Sequence, residues 1–146
     1  MLQIFCMQSV CKLLKEESET KYYSENNSDF LHETGAEKHM KYNDEFIRPY
    51  MVSNCNYDVI MGTNNVVTPF RYEINFRNYF YVTEGKVVIK MAPPKSSKYL
   101  SEYSDYDLFE FRSPLNPWDV SPIYKADFDK VKCLDVVLEP GKIMFF

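Results

Sequence analysis

Thr68-Pro-Phe-Arg-Tyr-Glu-Ile-Asn-Phe-Arg77 is the stretch on which the fold of this chain turns. From Phe70 onward apolar and polar residues alternate strictly, with Phe70, Tyr72, Ile74 and Phe76 on one face and Arg71, Glu73, Asn75 and Arg77 on the other. A period of two predicts a β-strand over residues 70–77. Its polar face sets two guanidiniums, a carboxylate and an amide in a row, which is ordinary against water and unusual against a protein interior. Function depends on which face is inside.

Downstream the chain reads as hairpins. Asn78-Tyr-Phe-Tyr-Val-Thr83 has the aromatic and β-branched content of a buried strand. Glu84-Gly85 then predicts a tight turn into Lys86-Val-Val-Ile-Lys-Met91, which Pro93-Pro94 stops. A second hairpin is expected from Lys132-Cys-Leu-Asp-Val-Val-Leu138 through Glu139-Pro-Gly141 into Lys142-Ile-Met-Phe-Phe146, with Pro and Gly where a type II turn requires them. Between the two hairpins, Pro114, Pro117 and Pro122 predict a long ordered excursion over residues 95–125 in place of strands. Trp118 either anchors that excursion or serves as a binding hot spot. The last apolar run reaches Phe146 with no turn or polar tail, as expected of a domain cut before its final strands. An open strand over residues 143–146 favours a homodimer or aggregation.

Upstream the pattern is helical. Residues 9–19 put Val10, Leu13 and Leu14 on one side and Lys12, Lys15, Glu16 and Glu17 on the other. A Ser24-Glu-Asn-Asn-Ser28 loop follows, then Ser28 or Asp29 caps a short helix carrying Phe30 and Leu31, with Gly35 as its stop. Residues 43–50 read as another helical turn ended by Pro49. No linker separates the halves, so one domain is expected, with residues 1–56 as a helical front and residues 57–146 as an incomplete β-barrel part.

Composition agrees with a globular β-rich domain: 146 residues, 45% hydrophobic, 26% charged, with 12 Tyr and 11 Phe. A net charge of -4 argues against a general nucleic-acid or anionic-membrane binder, since both require a basic field. No apolar run approaches the ~18 to 20 residues that span a bilayer. The N-terminus lacks the basic leader of a signal peptide. Cys6, Cys11, Cys55 and Cys133 form no C-x-x-C pair, which suits reduced thiols in the cytoplasm of a cell.

Four segments together carry a resemblance. Thr68-Pro-x-Arg-Tyr-Glu, Asn78-Tyr-Phe-x-Val-Thr-x-Gly85, Ala92-Pro-Pro94 and Val137-Leu-Glu-Pro-Gly-Lys-Ile-Met-Phe-Phe146 resemble, in the same order, the core of the cupin-like JmjC-type hydroxylases. The similarity covers roughly residues 60–146 and looks closest to versions from large DNA viruses and environmental sequence. It implies a double-stranded β-helix, the cupin or jelly-roll barrel, here without its last strands. It also implies Fe(II)- and 2-oxoglutarate-dependent chemistry, with two His and one carboxylate on the metal. Carried over, the first His falls on Arg71 and the carboxylate on Glu73, while the second His would lie past Phe146. Arg71 cannot ligate, because a guanidinium stays protonated and offers no lone pair. Val87 stands where a basic residue often holds the cosubstrate, and Thr68 matches a cosubstrate-contacting threonine.

Read directly, Arg71 and Glu73 share a face and can pair, in which case the site is structural. Alternatively Arg71 and Arg77, with Thr68, Asn75 and Asn78 nearby, clamp an anionic ligand. Residual metal binding through Glu73 is the third reading. His32 and His39 lie in the helical front and suit solvated or capping roles, and Lys86, Lys90, Lys95 and Lys98 suit a solvated face. Gly62 and Gly85 read as turn residues outside any phosphate loop. The expected function is therefore a noncatalytic cupin-like domain with a degenerate metal site and no cofactor. Such a domain is structural, or binds a small anion or a protein partner. The alternative is a divergent Fe(II)/2-oxoglutarate oxygenase.

Overall fold

The computed structural model describes residues 12, 14–15, 20–72, 74–106 and 110–146. The expected helix over residues 9–19 lies largely outside these residues; Lys12, Leu14 and Lys15 are helical. The chain divides into two compact units, Met1–Val66 and Val67–Phe146. The architecture is mainly β and antiparallel, with few helices. None of the described helices is long and apolar enough to cross a membrane.

In the first unit, α1 (Ser28–Glu33) forms where it is expected and buries Leu31, but its cap position is Asn27 in place of the expected Ser28 or Asp29, and no side chain caps it. Gly35, at φ +73°, breaks the helix but does not end the helical region, because α2 (Ala36–Asn43) starts at once. No α2 residue is buried, so the helix has no apolar stripe to announce it in sequence. Its i,i+4 pair of Glu37 and Lys41, 2.5 Å apart, supports it instead. The expected turn near Pro49 exists, with Ile47 and Arg48 donating to the Asp44 carbonyl at 2.9 and 3.0 Å. β1 (Tyr23–Ser24) pairs with β2 (Met61–Gly62). Gly62 is thus a strand residue, not a turn residue. A Cβ there would stand 2.5 Å from a Val66 methyl, so close packing is what calls for glycine.

In the second unit the strands are β3 (Arg71–Tyr72), β4 (Tyr79–Tyr81), β5 (Val87–Met91), β6 (Tyr103–Asp105), β7 (Glu110–Arg112), β8 (Leu134–Leu138) and β9 (Ile143–Phe145). Neither predicted hairpin is a hairpin. β4 pairs with β9 in the register Tyr79↔Phe145, Phe80↔Met144, Tyr81↔Ile143. β5 pairs with β8 from Val87↔Leu138 to Met91↔Leu134. Residues 79–91 therefore form one long arm and residues 134–145 another, antiparallel and both bent near the middle. Val82 stitches the bend: its N–H donates to the Lys142 carbonyl at 3.3 Å and its carbonyl accepts from Gly141 N–H at 3.0 Å.

The signals at Glu84-Gly85 and Glu139-Pro-Gly141 are real changes of direction, but they bend each arm as corners and do not turn it back on itself. Gly85 and Gly141 take φ of +81° and +82°, a region costly to other residues. What overrides the local hairpin is nonlocal burial: Val82 and Leu138, on either side of the bend, are both in the core. Each contributes about 1.5–3 kcal/mol on burial. An extra residue on the first arm shifts the register across the bend, as a β-bulge does.

The excursion over residues 95–125 contains two strands, a 3-10 helix (Pro94–Tyr99) and the start of α3 (Pro122–Phe128), so the expectation of no strands is corrected. Pro94 and Pro122 open the 3-10 helix and α3 at their first positions, where the missing N–H would have no helical partner, while Pro114 and Pro117 lie between elements. Leu115, 1% exposed, is the most deeply buried point of this segment, and the half-exposed Trp118 makes a second contact, with β5. The Ser113 hydroxyl donates to the Leu100 carbonyl and accepts from Leu115 N–H at 3.1 Å, fixing the loop at that point. Trp118 lies with its ring 4.6 Å from the Lys90 ammonium, which in turn pairs with Asp135 at 2.7 Å.

Among the described residues the strands make four separate antiparallel sheets, β1-β2, β3-β7-β6, β4-β9 and β5-β8, with no closed barrel.

Candidate anion-binding site

β3 is short. Alternation predicted a strand over residues 70–77, but regular pairing stops at Tyr72, and residues 75 and 76 lie in a bend. The reason is burial: Ile74 is exposed and Phe76 is 93% exposed, so the apolar face has nothing to pack against beyond Phe70 and Tyr72. Those two are held. Phe70 lies 6.4 Å from the Phe128 ring, and Tyr72 meets Phe111 edge-on at 5.9 Å, with Tyr106 on Phe111 at 5.6 Å. Ser113 N–H donates to the Phe70 carbonyl at 2.9 Å, carrying the β3–β7 ladder one residue further.

The register of this sheet places Arg71 opposite Arg112, and Arg112 opposite Tyr103. Residues directly opposite project from the same face with Cβ atoms about 4.5–5.5 Å apart, so two guanidiniums and a phenol form one row across three strands. Arg71 is exposed and Arg112 half-buried. Like charges set opposite are unfavourable unless acids or an anion lie between or beside them, and Arg forks match carboxylate and phosphate oxygens.

The other sequence-derived site residues do not join this row. Glu73 lies outside the described residues. Thr68 is half-buried ahead of β3. The Asn75 amide donates to the Asn78 side-chain carbonyl at 3.2 Å, and the exposed Arg77 guanidinium sits 5.8 Å from the Phe76 ring. Asn78 opens β4, exchanging both backbone hydrogen bonds with Phe146 at 2.8 and 3.0 Å. The one-face argument therefore fails for Asn75 and Arg77, because the strand that would align them ends first. Arg112 and Tyr103 were missed by sequence reasoning. Neither has a local signal, and only the pairing of β7 with β3 and β6 brings them to Arg71. No three His, Cys, Asp or Glu side chains converge as a metal site among the described residues.

The first unit holds a separate polar cluster. Tyr57 OH and Arg48 both donate to the Asp44 carboxylate, the Cys55 thiol lies 4.0 Å from it, and the Arg48 guanidinium also donates to the Lys41 carbonyl at 2.9 Å. Burial, and then the hydrogen bond to Asp44, push the Tyr57 phenol far above its ordinary range, which keeps it a donor. His32 stands in the last turn of α1 with Nδ1 3.2 Å from Glu37. These contacts tie the turn after α2 to the following loop.

No protein-family model, curated protein or solved structure matches this chain.

Proposed function

We propose that this chain is a noncatalytic, cupin-like binding domain that holds a small anion at the Arg71–Arg112 row. The observation that carries the proposal is the register Arg71↔Arg112, which sets two permanent cations side by side on one sheet face. Two further features support it. The long arms of residues 79–91 and 134–145, antiparallel and bent at matching corners, have the connectivity of a rolled double-stranded ribbon. Arg71 also stands where the resemblance puts a metal-binding His, and a guanidinium there favours anions over metals.

Calorimetric titration with inorganic phosphate and with succinate tests this reading. Binding is expected with the wild-type chain, weakened about tenfold or more in Arg71→Ala and in Arg112→Ala, the worth of one charged hydrogen-bonded contact. Equal affinity in all three proteins would sink the proposal. Anaerobic titration with Fe(II) in the presence of 2-oxoglutarate tests the oxygenase alternative, which the half-buried Thr68 favours. The expected result is no stoichiometric binding and no charge-transfer band. Tight binding would give the lead to the oxygenase reading.

A further inference from the structure

One end of the β5-β8 ribbon gathers lysines. The pairing of these strands ends at Met91↔Leu134, and the chain passes this end twice: once as Pro93 leads into the 3-10 helix (Pro94–Tyr99), and again as residues 130–133 arrive from α3. Side chains three apart on a 3-10 helix lie one above the other, so Lys95 and Lys98 share a face. Lys98 sets its ammonium 4.9 Å from the centre of the Tyr99 ring, and Lys130 brings a second ammonium to the same ring at 5.3 Å. Lys132 lies two residues before the last pair of the ribbon. All four lysines are exposed. Acids do not balance them. Asp127 pairs with Lys130 at 2.7 Å, and Asp129 is taken by Lys125 at 2.9 Å. Lys95, Lys98 and Lys132 make no ion pair among the described residues.

We propose that this end of the ribbon binds a small polyphosphate. Each ammonium is a compact point charge with three donors and no planar fork, which suits phosphate oxygens reached from several sides better than the paired oxygens of one carboxylate. The Lys98 and Lys130 ammoniums stand no more than about 10 Å apart across the ring they share, a span that a short run of phosphates bridges and a single phosphate does not. Two observations favour a compact anion over nucleic acid. Residues 67–146 carry eleven basic and eleven acidic side chains, so the positive potential is confined to the cluster and fades over a Debye length, about 8–10 Å. Tyr99 is half-buried and in contact with ammoniums, unlike the open aromatic platforms on which bases stack. A free polyphosphate and a phosphorylated lipid headgroup share this chemistry.

Calorimetric titration of the full chain with tripolyphosphate, and with inorganic phosphate alongside, tests the proposal. Wild-type protein should bind tripolyphosphate more tightly than phosphate, and the triple variant Lys95→Gln/Lys98→Gln/Lys132→Gln should lose about tenfold or more in that affinity. The three side chains are exposed, so the variant keeps the circular dichroism of the wild type. Arg71→Ala/Arg112→Ala should keep the tripolyphosphate affinity, which separates this cluster from the arginine row. Sedimentation with vesicles containing phosphatidylinositol bisphosphate distinguishes the sources: lysine-dependent capture assigns a lipid headgroup, and tripolyphosphate binding without capture assigns a free ligand. No binding of tripolyphosphate, equal affinity in the wild type and the triple variant, or loss of binding only in the arginine variant overturns the proposal. So does tighter, lysine-dependent binding of a short single-stranded oligonucleotide.

Discussion

Single residues in this protein divide into those whose role is local and those whose role depends on a distant partner. Glu37 is local. Its hydrogen bond to Lys41, then that to His32, hold its carboxyl below the ordinary carboxylate range. A lowered folded-state pKa means that the stabilisation is fully present above the unfolded value and is lost as pH falls through the folded value. The urea midpoint of the wild type should therefore exceed that of Glu37→Gln near neutrality, with the difference shrinking once the pH falls below the ordinary carboxylate range and vanishing in stronger acid; a gap undiminished in strong acid would refute the assignment. Leu115 is the opposite kind. It is the most completely buried large side chain among the described residues, yet Pro114 and Pro117 beside it read as a surface loop. Leu115→Ala should cost about 2–5 kcal/mol in chemical denaturation, a core-sized effect. A loss within the surface range of about 0.5 kcal/mol would show that the excursion is not anchored there.

Among the elements, legibility followed the range of the interaction. α1 was readable because its Ser28-Asp29 start and Gly35 stop lie close together in sequence, whereas α2 was not, none of its residues being buried. β5 and β8 were placed correctly as strands by their Val-rich runs. Their partners were not, because a tight-turn signature specifies a change of direction and says nothing of which strand lies alongside. The two corners provide the direct test. Gly141→Ala adds no clash, since nothing lies within 4 Å of the new Cβ, but it places alanine at φ +82°. A loss of about 1–2 kcal/mol is expected from backbone strain alone, measured by thermal or urea unfolding. An unchanged midpoint would mean that the corner relaxes and the bent ribbon is less defined than the Val82 hydrogen bonds imply. β3 shows the converse error: period-two alternation over residues 70–77 specified a face, but the apolar half of it found nothing to cover Ile74 and Phe76.

For the molecule as a whole, charge is unevenly distributed along the chain: residues 1–66 hold six basic and ten acidic side chains, and residues 67–146 are balanced. An anion is therefore drawn to the Arg71–Arg112 row by the local pair of guanidiniums and not by the field of the chain, and its binding should weaken moderately as salt rises from about 0.05 to 0.5 M. Sequence by itself determined the β-rich class, the places where the chain bends, the short helix from Ser28 to Glu33 and Arg71 as a cation unfit to hold a metal, because each of these is written in residue type and near-neighbour spacing. Tertiary structure alone decided that β4 runs beside β9 and β5 beside β8, that Leu115 anchors the excursion, and that Arg112 and Tyr103 stand in line with Arg71. Those outcomes rest on strand register and burial between segments tens of residues apart, where the free energy of a contact depends on a partner that no local pattern names.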